Sequence, residues 1–434
     1  MNHMTTKLLI FGITGDLSRR KLIPALEQIA RTGEYDNLEI IGVSRREVDV
    51  SMLIRNPQLA ARTRVVTMDL ANPGDYTRLR DDINLAKDDQ LLIYLSVPPA
   101  ASGQIVQLLG HANINDDRVK LMLEKPFGTD LESAIHMSEQ ISEFYSDDQV
   151  YRIDHYLAKE MAQNIVAFRA HNALFAHVWN NSAIEKIEIC AYEVIDIEDR
   201  AQFYEQTGAL RDVVQGHLMQ LLSLVIMDIP GDMHWNQVST HRLEALRQLA
   251  PAQVQSTVRA QYQGYKDEVG NPRSAVETFV SVQLESRAHD WQGVPLLLTT
   301  GKALDEKRTE IKVYFKKFHD AQTNCLVFRI QPKEGIEIAL NTLKPNYEYE
   351  YEQTRLSFNY PADVTLPDAY EQVIIDAIRG HKHIFTSNEE VIRSWEILQP
   401  LVSHWSLCTL CTHEYPKGST ADDVLAAAPR PHES

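Results

Sequence analysis

Hydrophobic residues follow two alternating arrangements along the first 150 positions of the chain. Short, nearly continuous apolar runs are typical of strands buried on both faces of a parallel sheet, and between them apolar residues recur every three or four positions, as on one face of a helix. The runs are KLLIFG, LEIIGVS, RVVTMDL, QLLIYLSV, VKLMLEKPF and QVYRID. This alternation predicts a Rossmann-like, doubly wound parallel sheet, and residues 1–154 are predicted to form one domain.

The pattern changes after residue 155. Helices are predicted from about His155 to His171 and again from about Gly208. Longer strand-like runs then follow one another with short turns: AVETFVSVQLE, VPLLLTTGKAL, TEIKVYFKKF, CLVFRIQP and IEIALNTLK. This order predicts an α+β domain over residues 155–434, in which a large, mostly antiparallel sheet is covered by helices.

Size and charge narrow the classes of function. The chain of 434 residues is long enough for two or three domains. Its formal net charge of −17 opposes binding to nucleic acids and to anionic membrane surfaces. No segment approaches the roughly 20 apolar residues that span a bilayer. Four cysteines are too few for a disulfide framework in a chain this long, which favours a reducing, cytoplasmic location.

One short segment near the C-terminus has the composition of a zinc site. Cys408 and Cys411 form a CxxC motif flanked by His404 and His413. Structural zinc sites of this kind combine the motif with a second ligand pair, and the segment also fits an amphipathic element that packs small thiols. No metal ligands are therefore predicted.

The first predicted strand runs directly into the turn GITGDLSRRKL. Glycines at a strand-to-helix turn allow the backbone to approach a pyrophosphate, and the following helix presents free N–H groups to it. The third glycine of the dinucleotide fingerprint is replaced by Ser18, and glycines at such turns also occur for steric reasons alone. The candidate cofactor-binding residues here are Gly12, Thr14, Gly15, Asp16 and Leu17.

The second predicted strand ends in GVSRRE, so Arg45 and Arg46 stand where an NAD-binding protein usually has an acidic residue. Arginines at this position accommodate the 2′-phosphate of NADP. NAD remains possible, because guanidinium groups also stack on adenine. In the alternative interpretation, the two arginines are solvated on a loop, because Glu47 is close enough to neutralise part of their charge.

The stretch RIDHYLAKE places several reactive side chains together. If a helix begins near His155, then His155 and Lys159 share a face at its N-terminal turn, which is a suitable receptor for a phosphate monoester. In the alternative interpretation, Asp154 is only the N-cap of the helix, and the His and Lys side chains are solvated.

A histidine also lies within the buried stripe of the predicted helix GALRDVVQGHLMQLLSLV. His217 falls among the apolar positions of this helix rather than on its polar face. Such a histidine is more often a core residue than a catalyst. It can act as a base if a carboxylate fixes its tautomer and a substrate hydroxyl reaches its other nitrogen.

These motifs, together with EKPFG, TGKALDEK and DAYEQVIIDAIRGHKHIF, resemble the glucose-6-phosphate dehydrogenase family in order and over most of the chain. The resemblance implies oxidation of glucose 6-phosphate at C1 to the lactone, with hydride transfer to NADP, as the first step of the oxidative pentose phosphate pathway. It also implies a homodimer formed through the large sheet. His217 matches the general base of the family, and Asp154 matches the acid that orients it.

The resemblance further assigns residues that bind the substrate. His155, Tyr156, Lys159 and Lys307 match positions near the phosphate, and Lys125, Glu193, Asp212 and Lys302 match residues that contact the sugar. Lys125 also matches a cofactor contact, and the Lys125–Pro126 bond is a candidate cis peptide.

The chain departs from the family at three places. Asp196 stands where a glycine is common, which disfavours a positive φ at that position. Gly216 replaces an asparagine beside His217 and weakens the helix by about 1 kcal/mol relative to alanine. The segment between Glu47 and Arg64 is short and leaves room for little beyond one short helix.

Two alternative functions remain open from the residues alone. In another type of sugar dehydrogenase, an EKP motif supplies the catalytic lysine, and Lys125 would then be the acid/base and His217 a core residue. A non-enzymatic, NADP-binding redox sensor would need Gly12 and Arg45 but no phosphate pocket.

Overall fold

A computed structural model describes residues 5–319, 321–361, 363–407 and 412–428, and two β-sheets organise it. The first sheet has seven strands in the order β15-β6-β5-β4-β1-β2-β3, and all neighbours are parallel except β15 and β6. Its strands are β1 (Thr6–Phe11), β2 (Leu38–Ser44), β3 (Thr63–Thr67), β4 (Gln90–Leu95), β5 (Val119–Leu123), β6 (Val150–Ile153) and β15 (Phe385–Thr386). The six runs predicted as parallel strands are all confirmed.

The second sheet has nine strands in the order β14-β13-β12-β11-β7-β10-β9-β8-β16. It is mostly antiparallel, as predicted, with parallel pairing only between β7 and β10 and between β8 and β16. Its strands are β7 (Ile184–Tyr192), β8 (Thr257–Tyr262), β9 (Phe279–Leu284), β10 (Leu296–Gly301), β11 (Arg308–Phe315), β12 (Cys325–Gln331), β13 (Gly335–Leu343), β14 (Tyr351–Asn359) and β16 (His413–Tyr415).

Helices connect and cover the two sheets. They are α1 (Ile23–Thr32), α2 (Pro57–Ala61), α3 (Pro73–Ile83), α4 (Pro99–His111), α5 (Leu131–Ser142), α6 (Glu160–His171), α7 (Ala201–Ala209), α8 (Met219–Ile226), α9 (Val238–Arg247), α10 (Tyr265–Glu268), α11 (Ala369–Arg379), α12 (Asn388–Leu407) and α13 (Ala421–Ala427). Two π-helical segments, Ser18–Leu22 and Leu210–Leu218, precede α1 and α8. Short π-helical segments are frequent at functional sites.

Helices on both faces bury the central strands of the first sheet. Leu8, Leu9 and Ile10 of β1 are fully buried, which explains why the run is almost uniformly apolar. Helix α11 packs against α1, and α12 packs between α5 and α9. The late part of the chain therefore holds the first sheet as well as the second, and β15 crosses the predicted boundary at residue 154 to pair with β6.

The predicted start of one helix is wrong. The chain turns at residues 155–158, and α6 begins only at Glu160, with the backbone of Lys159 extended at its N-cap. His155 and Lys159 thus do not share a helix face. The helix predicted from about Gly208 is confirmed, because Gly208 interrupts the helical backbone with a φ of 67° and the segment Leu210–Leu218 starts directly after it and continues into α8. Among the described residues, no helix combines the length and apolar composition that a membrane crossing needs.

Candidate active site

The first glycine-containing turn leaves β1 with the backbone close to β4. Gly12 has a φ of 77°, and a Cβ atom there would lie 2.2 Å from the carbonyl oxygen of Ser96. Only glycine fits this position without displacing backbone. Ser18, which replaces the third glycine of the fingerprint, donates its hydroxyl to the Gly12 carbonyl at 2.9 Å. Ser18, which begins the helical segment after the turn, therefore stabilises the turn through its side chain.

A cleft of about 460 Å³ opens at this turn, along the carboxyl ends of β1, β2 and β4. Of the predicted cofactor residues, Gly12, Thr14, Gly15 and Arg45 line the cleft, whereas Asp16, Leu17, Arg46 and Lys125 lie outside its lining. The sequence analysis missed the other lining residues, which include Ser44, Asp69, Leu70, Ser96, Val97, Pro98 and Gln104.

These features fit a dinucleotide. The turn with Gly12 and Gly15 lines the cleft, the cleft lies outside the carboxyl ends of parallel strands, and Arg45 stands at the end of β2 where a ribose is bound in this architecture. In this family of folds, the bound nicotinamide supplies the hydride acceptor.

The structure brings together two residues that are 63 positions apart in the sequence. Nδ1 of His217 lies 2.6 Å from Oδ1 of Asp154, and the same oxygen accepts a hydrogen bond from the backbone N–H of Tyr156 at 2.9 Å. Asp154 and His217 are only 2% and 8% exposed. This contact holds one ring nitrogen and leaves Nε2 available to a ligand.

Burial and charge set the protonation of the pair in opposite ways. Burial lowers the pKa of His217, and the Asp154 carboxylate opposes that effect. Burial alone raises the pKa of Asp154, but the facing His217 and Lys125 hold that pKa below its ordinary value. Near neutral pH, the pair is therefore a carboxylate and a neutral imidazole.

The π-helical segment Leu210–Leu218 positions His217 and Asp212. Gly208 permits the chain to turn sharply before it, and a Cβ atom at Gly208 would lie 2.6 Å from the carboxylate of Glu277. Glu277 accepts the backbone N–H of Leu210 at 2.9 Å and so caps the segment from β9's N-terminal side.

His217 lines a polar cavity of about 240 Å³ between the segment and the second sheet. Six residues predicted from the sequence share this lining: His155, Tyr156, Glu193, Asp212, His217 and Lys302. The sequence analysis missed Ala191, Tyr192, Arg200, Val213, Thr300, Thr309 and Gln331. Tyr156 stacks on the His217 ring with centroids 4.2 Å apart, and His155 meets the same ring edge-on at 4.7 Å.

Gln331, at the end of β12, connects Lys159, which lies outside the cavity lining, to the aromatic wall of the cavity. Its Oε1 accepts Nζ of Lys159 at 3.0 Å, and its Nε2 donates to Tyr156 at 3.2 Å and to Thr309 at 2.9 Å. Burial, opposed by Glu334, lowers the pKa of Lys159. Lys307 is exposed and outside the cavity lining, although its charge acts on Lys159.

The other predicted substrate residues are held by mutual contacts. Lys302 forms a short ion pair with Glu193, and both line the cavity. Lys125 donates to the backbone carbonyl of Asp212 at 3.3 Å, and burial lowers its pKa. The Lys125–Pro126 peptide is cis, as the sequence analysis suggested.

The structure explains both single-residue departures from the family pattern. A Cβ atom at Gly216 would lie 1.9 Å from Nζ of Lys125, so the glycine makes room for that lysine. The positive φ near Glu193 falls at Glu198 rather than at Asp196, and Asp196 instead binds Lys417 at 2.7 Å. Cys408 and Cys411 lie outside the described residues, whereas Cys190 and Cys325 are free thiols.

Comparison with known proteins gives one consistent result. The family model for the NAD binding domain of glucose-6-phosphate dehydrogenase matches residues 9–57 and 54–164, and the model for the C-terminal domain matches residues 166–429. The glucose-6-phosphate 1-dehydrogenase of Borreliella burgdorferi is 33% identical over 94% of both chains.

Solved structures agree with this result. One is a glucose-6-phosphate dehydrogenase in complex with its substrate glucose 6-phosphate, with a TM-score of 0.90 and 28% identity over 98% of this chain and 96% of that one. The glucose-6-phosphate 1-dehydrogenase of Mycobacterium avium has a TM-score of 0.86 and 30% identity over the same shares. The chain is an oxidoreductase by fold and sequence, and it belongs to the glucose-6-phosphate dehydrogenase family.

Proposed function

We propose that this protein oxidises glucose 6-phosphate at C1 to 6-phosphogluconolactone, with NADP as the hydride acceptor. The observation that carries the proposal is the buried contact between His217 and Asp154 at the wall of a polar cavity that also contains His155, Glu193 and Lys302. A histidine with this surrounding is a base rather than a core residue.

His217 acts on the hydroxyl at C1. Its Nε2 accepts the hydroxyl proton as the hydride leaves, so that C1 becomes a neutral carbonyl carbon instead of a full cation. Asp154 holds the proton on Nδ1 and stabilises the imidazolium that forms. The second carboxylate oxygen of Asp154 is buried and has no hydrogen-bond partner among the described residues, so the facing His217 and Lys125 stabilise the carboxylate charge rather than hydrogen bonds to this oxygen.

The remaining polar groups orient the sugar phosphate. Glu193 and Asp212 can accept hydrogen bonds from sugar hydroxyls, and Glu193 is oriented by its ion pair with Lys302. His155 lines the cavity, Lys159 is hydrogen-bonded to the lining residue Gln331, and these two side chains are the proposed receptor for the phosphate. Burial and the adjacent His217 lower the pKa of His155 to about 3, so this ring is neutral and contributes an N–H donor rather than a charge.

Arg45 provides the NADP preference in this proposal. It lines the dinucleotide cleft at the end of β2, where its guanidinium can pair with a 2′-phosphate. Arg46 lies outside the lining and is a solvated neighbour.

The direct test measures nicotinamide reduction with glucose 6-phosphate, using NADP and NAD separately, and with unphosphorylated glucose as the control. We expect NADP to be reduced at lower cofactor concentrations than NAD. Little reduction is expected with glucose, because Lys159 and His155 then have no phosphate to bind. Reduction of neither cofactor would contradict the proposal.

We also propose a homodimer formed through the second sheet. Leu340, Leu356 and Phe358 of β13 and β14 are 39%, 56% and 46% exposed, and they extend an apolar groove that Ile336 and Ile338 line beside α6. We expect a mass of two chains by light scattering and one chain for Leu356→Glu. A wild-type monomer at micromolar concentration would refute this assembly.

A further inference from the structure

Three metal-ligating side chains meet at the C-terminal end of α11, away from the cavity described above. They are Asp376, His381 and His383, and their ligand atoms all lie within 4.8 Å of one another. Nδ1 of His381 is 3.0 Å from Oδ1 of Asp376, and Nε2 of His383 is 3.7 Å from Oδ2. Ligands of a tetrahedral zinc ion lie about 3.3 Å apart, so both separations are close to what one ion requires.

The end of the helix creates this arrangement. Gly380 ends α11 in the left-handed conformation with a φ of 78°, and the backbone N–H of His381 then donates to the carbonyl of Asp376 at 2.8 Å. The chain therefore reverses over the last helical turn, and His381 and His383 face the carboxylate that the helix presents.

The surroundings hold the ligands in place. Gln372 donates to Oδ2 of Asp376 at 2.8 Å, and Arg242 donates to the backbone carbonyl of His383 at 2.5 Å. Arg242 is itself neutralised by Glu390, with both side chains fully buried. Partners of this kind, which orient the ligands of a metal, are typical of built metal sites.

Exposure also suits an ion that enters from solvent. The side chain of Asp376 is 2% exposed and that of His383 is 11% exposed, whereas that of His381 is 53% exposed. One open side leaves room for water as a fourth ligand, and the two imidazoles can move their protons to the other ring nitrogen when an ion replaces the hydrogen bond.

We propose that Asp376, His381 and His383 bind one divalent transition-metal ion, with Zn²⁺ as the expected occupant among ions that favour two imidazoles and a carboxylate. The site ties α11 to the segment that leads into β15, which pairs with the strand that carries Arg152 and Ile153. Binding is therefore expected to stabilise the joint between the late helices and the first sheet.

The test is zinc binding to the full chain, purified without a polyhistidine tag. Asp154, His155 and His217 form a second group that can capture zinc, so all measurements use the His217→Asn background. Equilibrium dialysis is expected to find one Zn²⁺ per chain, with a raised thermal midpoint. The additional change His381→Gln should weaken binding at least tenfold and abolish the thermal shift, and Co²⁺ should give a visible absorption band that this change removes.

His289→Gln is the matched control, because His289 also contacts a carboxylate, Asp290, at 3.1 Å but belongs to no group of three potential ligands within the described part of the chain. This variant should bind zinc as the background does. His381 is half exposed, so its replacement is not expected to disturb folding. No zinc bound by the His217→Asn protein, or equal binding after His381→Gln, would overturn the proposal.

Discussion

The dinucleotide cleft and the sugar-phosphate cavity are built in opposite ways. The cleft consists largely of backbone and apolar side chains from short segments at the carboxyl ends of β1, β2 and β4, and Arg45 is a charged group at its edge. The cavity consists of polar side chains that hold one another, such as the buried pair His217 and Asp154 and the ion pair of buried Lys302 with half-buried Glu193. In the proposed function, the first region would therefore recognise its ligand mainly by shape, with Arg45 as the charged contact, and the second by charged and polar side chains.

This difference determines how each region should respond to substitution. In the cavity, removing one member of a buried pair leaves the other without its partner, which affects the reaction itself. In the cleft, an exposed side chain can be removed while the backbone cradle stays intact, which affects affinity for one cofactor. The four predictions below test this contrast.

The largest effect is expected for His217→Asn. Loss of the base should lower kcat by about 10² to 10⁴, with the KM for glucose 6-phosphate changed only a few-fold, because the phosphate is held by other residues. Steady-state kinetics with NADP measure both constants. His171→Asn, at the exposed end of α6, is the control and should be fully active. A modest loss for His217→Asn would instead favour Lys125 as the acid/base.

Arg45→Ala should have the next largest effect, which should be confined to the KM for NADP. A charge-assisted hydrogen bond contributes about 1.5–3 kcal/mol, so the KM for NADP should rise about 10- to 100-fold while the KM for NAD stays nearly constant. Arg46→Ala, one position along and outside the cleft, should change neither constant by more than about twofold. Equal losses with both cofactors would mean that Arg45 stacks on adenine.

A smaller effect is expected for Gly216→Ala, which lies on the cavity side. The new Cβ atom would overlap Nζ of Lys125, so the lysine must leave the carbonyl of Asp212. We expect kcat/KM to fall about tenfold, while helix propensity maintains or slightly raises the free energy of unfolding. Gly74→Ala is the control, since the nearest atom to its Cβ lies at 3.5 Å. Unchanged kinetics would show that Lys125 is not needed at this place.

The contrast also explains which features could be predicted from the sequence. The parallel strands and the turn at Gly12 are encoded by neighbouring residues, so apolar runs and glycine spacing were enough to find them. Gln331 could not be found in this way, because its contact with Tyr156 spans 175 positions and nothing in its local sequence distinguishes it. The pairing of Asp154 with His217 was predicted only through the family resemblance.

The prediction that α6 starts near His155 failed for a local physical reason. The periodicity of apolar residues extends back to Tyr156 and Leu157, but Asp154 binds His217 and the N–H of Tyr156, and this fixes a turn where a helix was predicted. The functional contact therefore overrides the helical pattern. Because of the same turn, the Lys159 side chain donates to Gln331 instead of lying on a helix face beside His155.

The smallest expected effect concerns Glu124, which follows β5 between the two regions and hydrogen-bonds with Tyr94 of β4. Burial raises the pKa of Glu124 to about 7 from an ordinary value of 4.5. A raised pKa in the folded state gives stability that is complete below about pH 4.5 and is lost as the pH rises through about 7.

Between pH 5 and pH 8, the wild type should therefore lose about 1–3 kcal/mol more free energy of unfolding than Glu124→Gln. Urea denaturation at each pH measures this difference, and Glu143→Gln, an exposed change at the end of α5, should follow the wild type. Parallel curves for the wild type and Glu124→Gln would mean that burial does not raise the pKa of Glu124 in the folded protein.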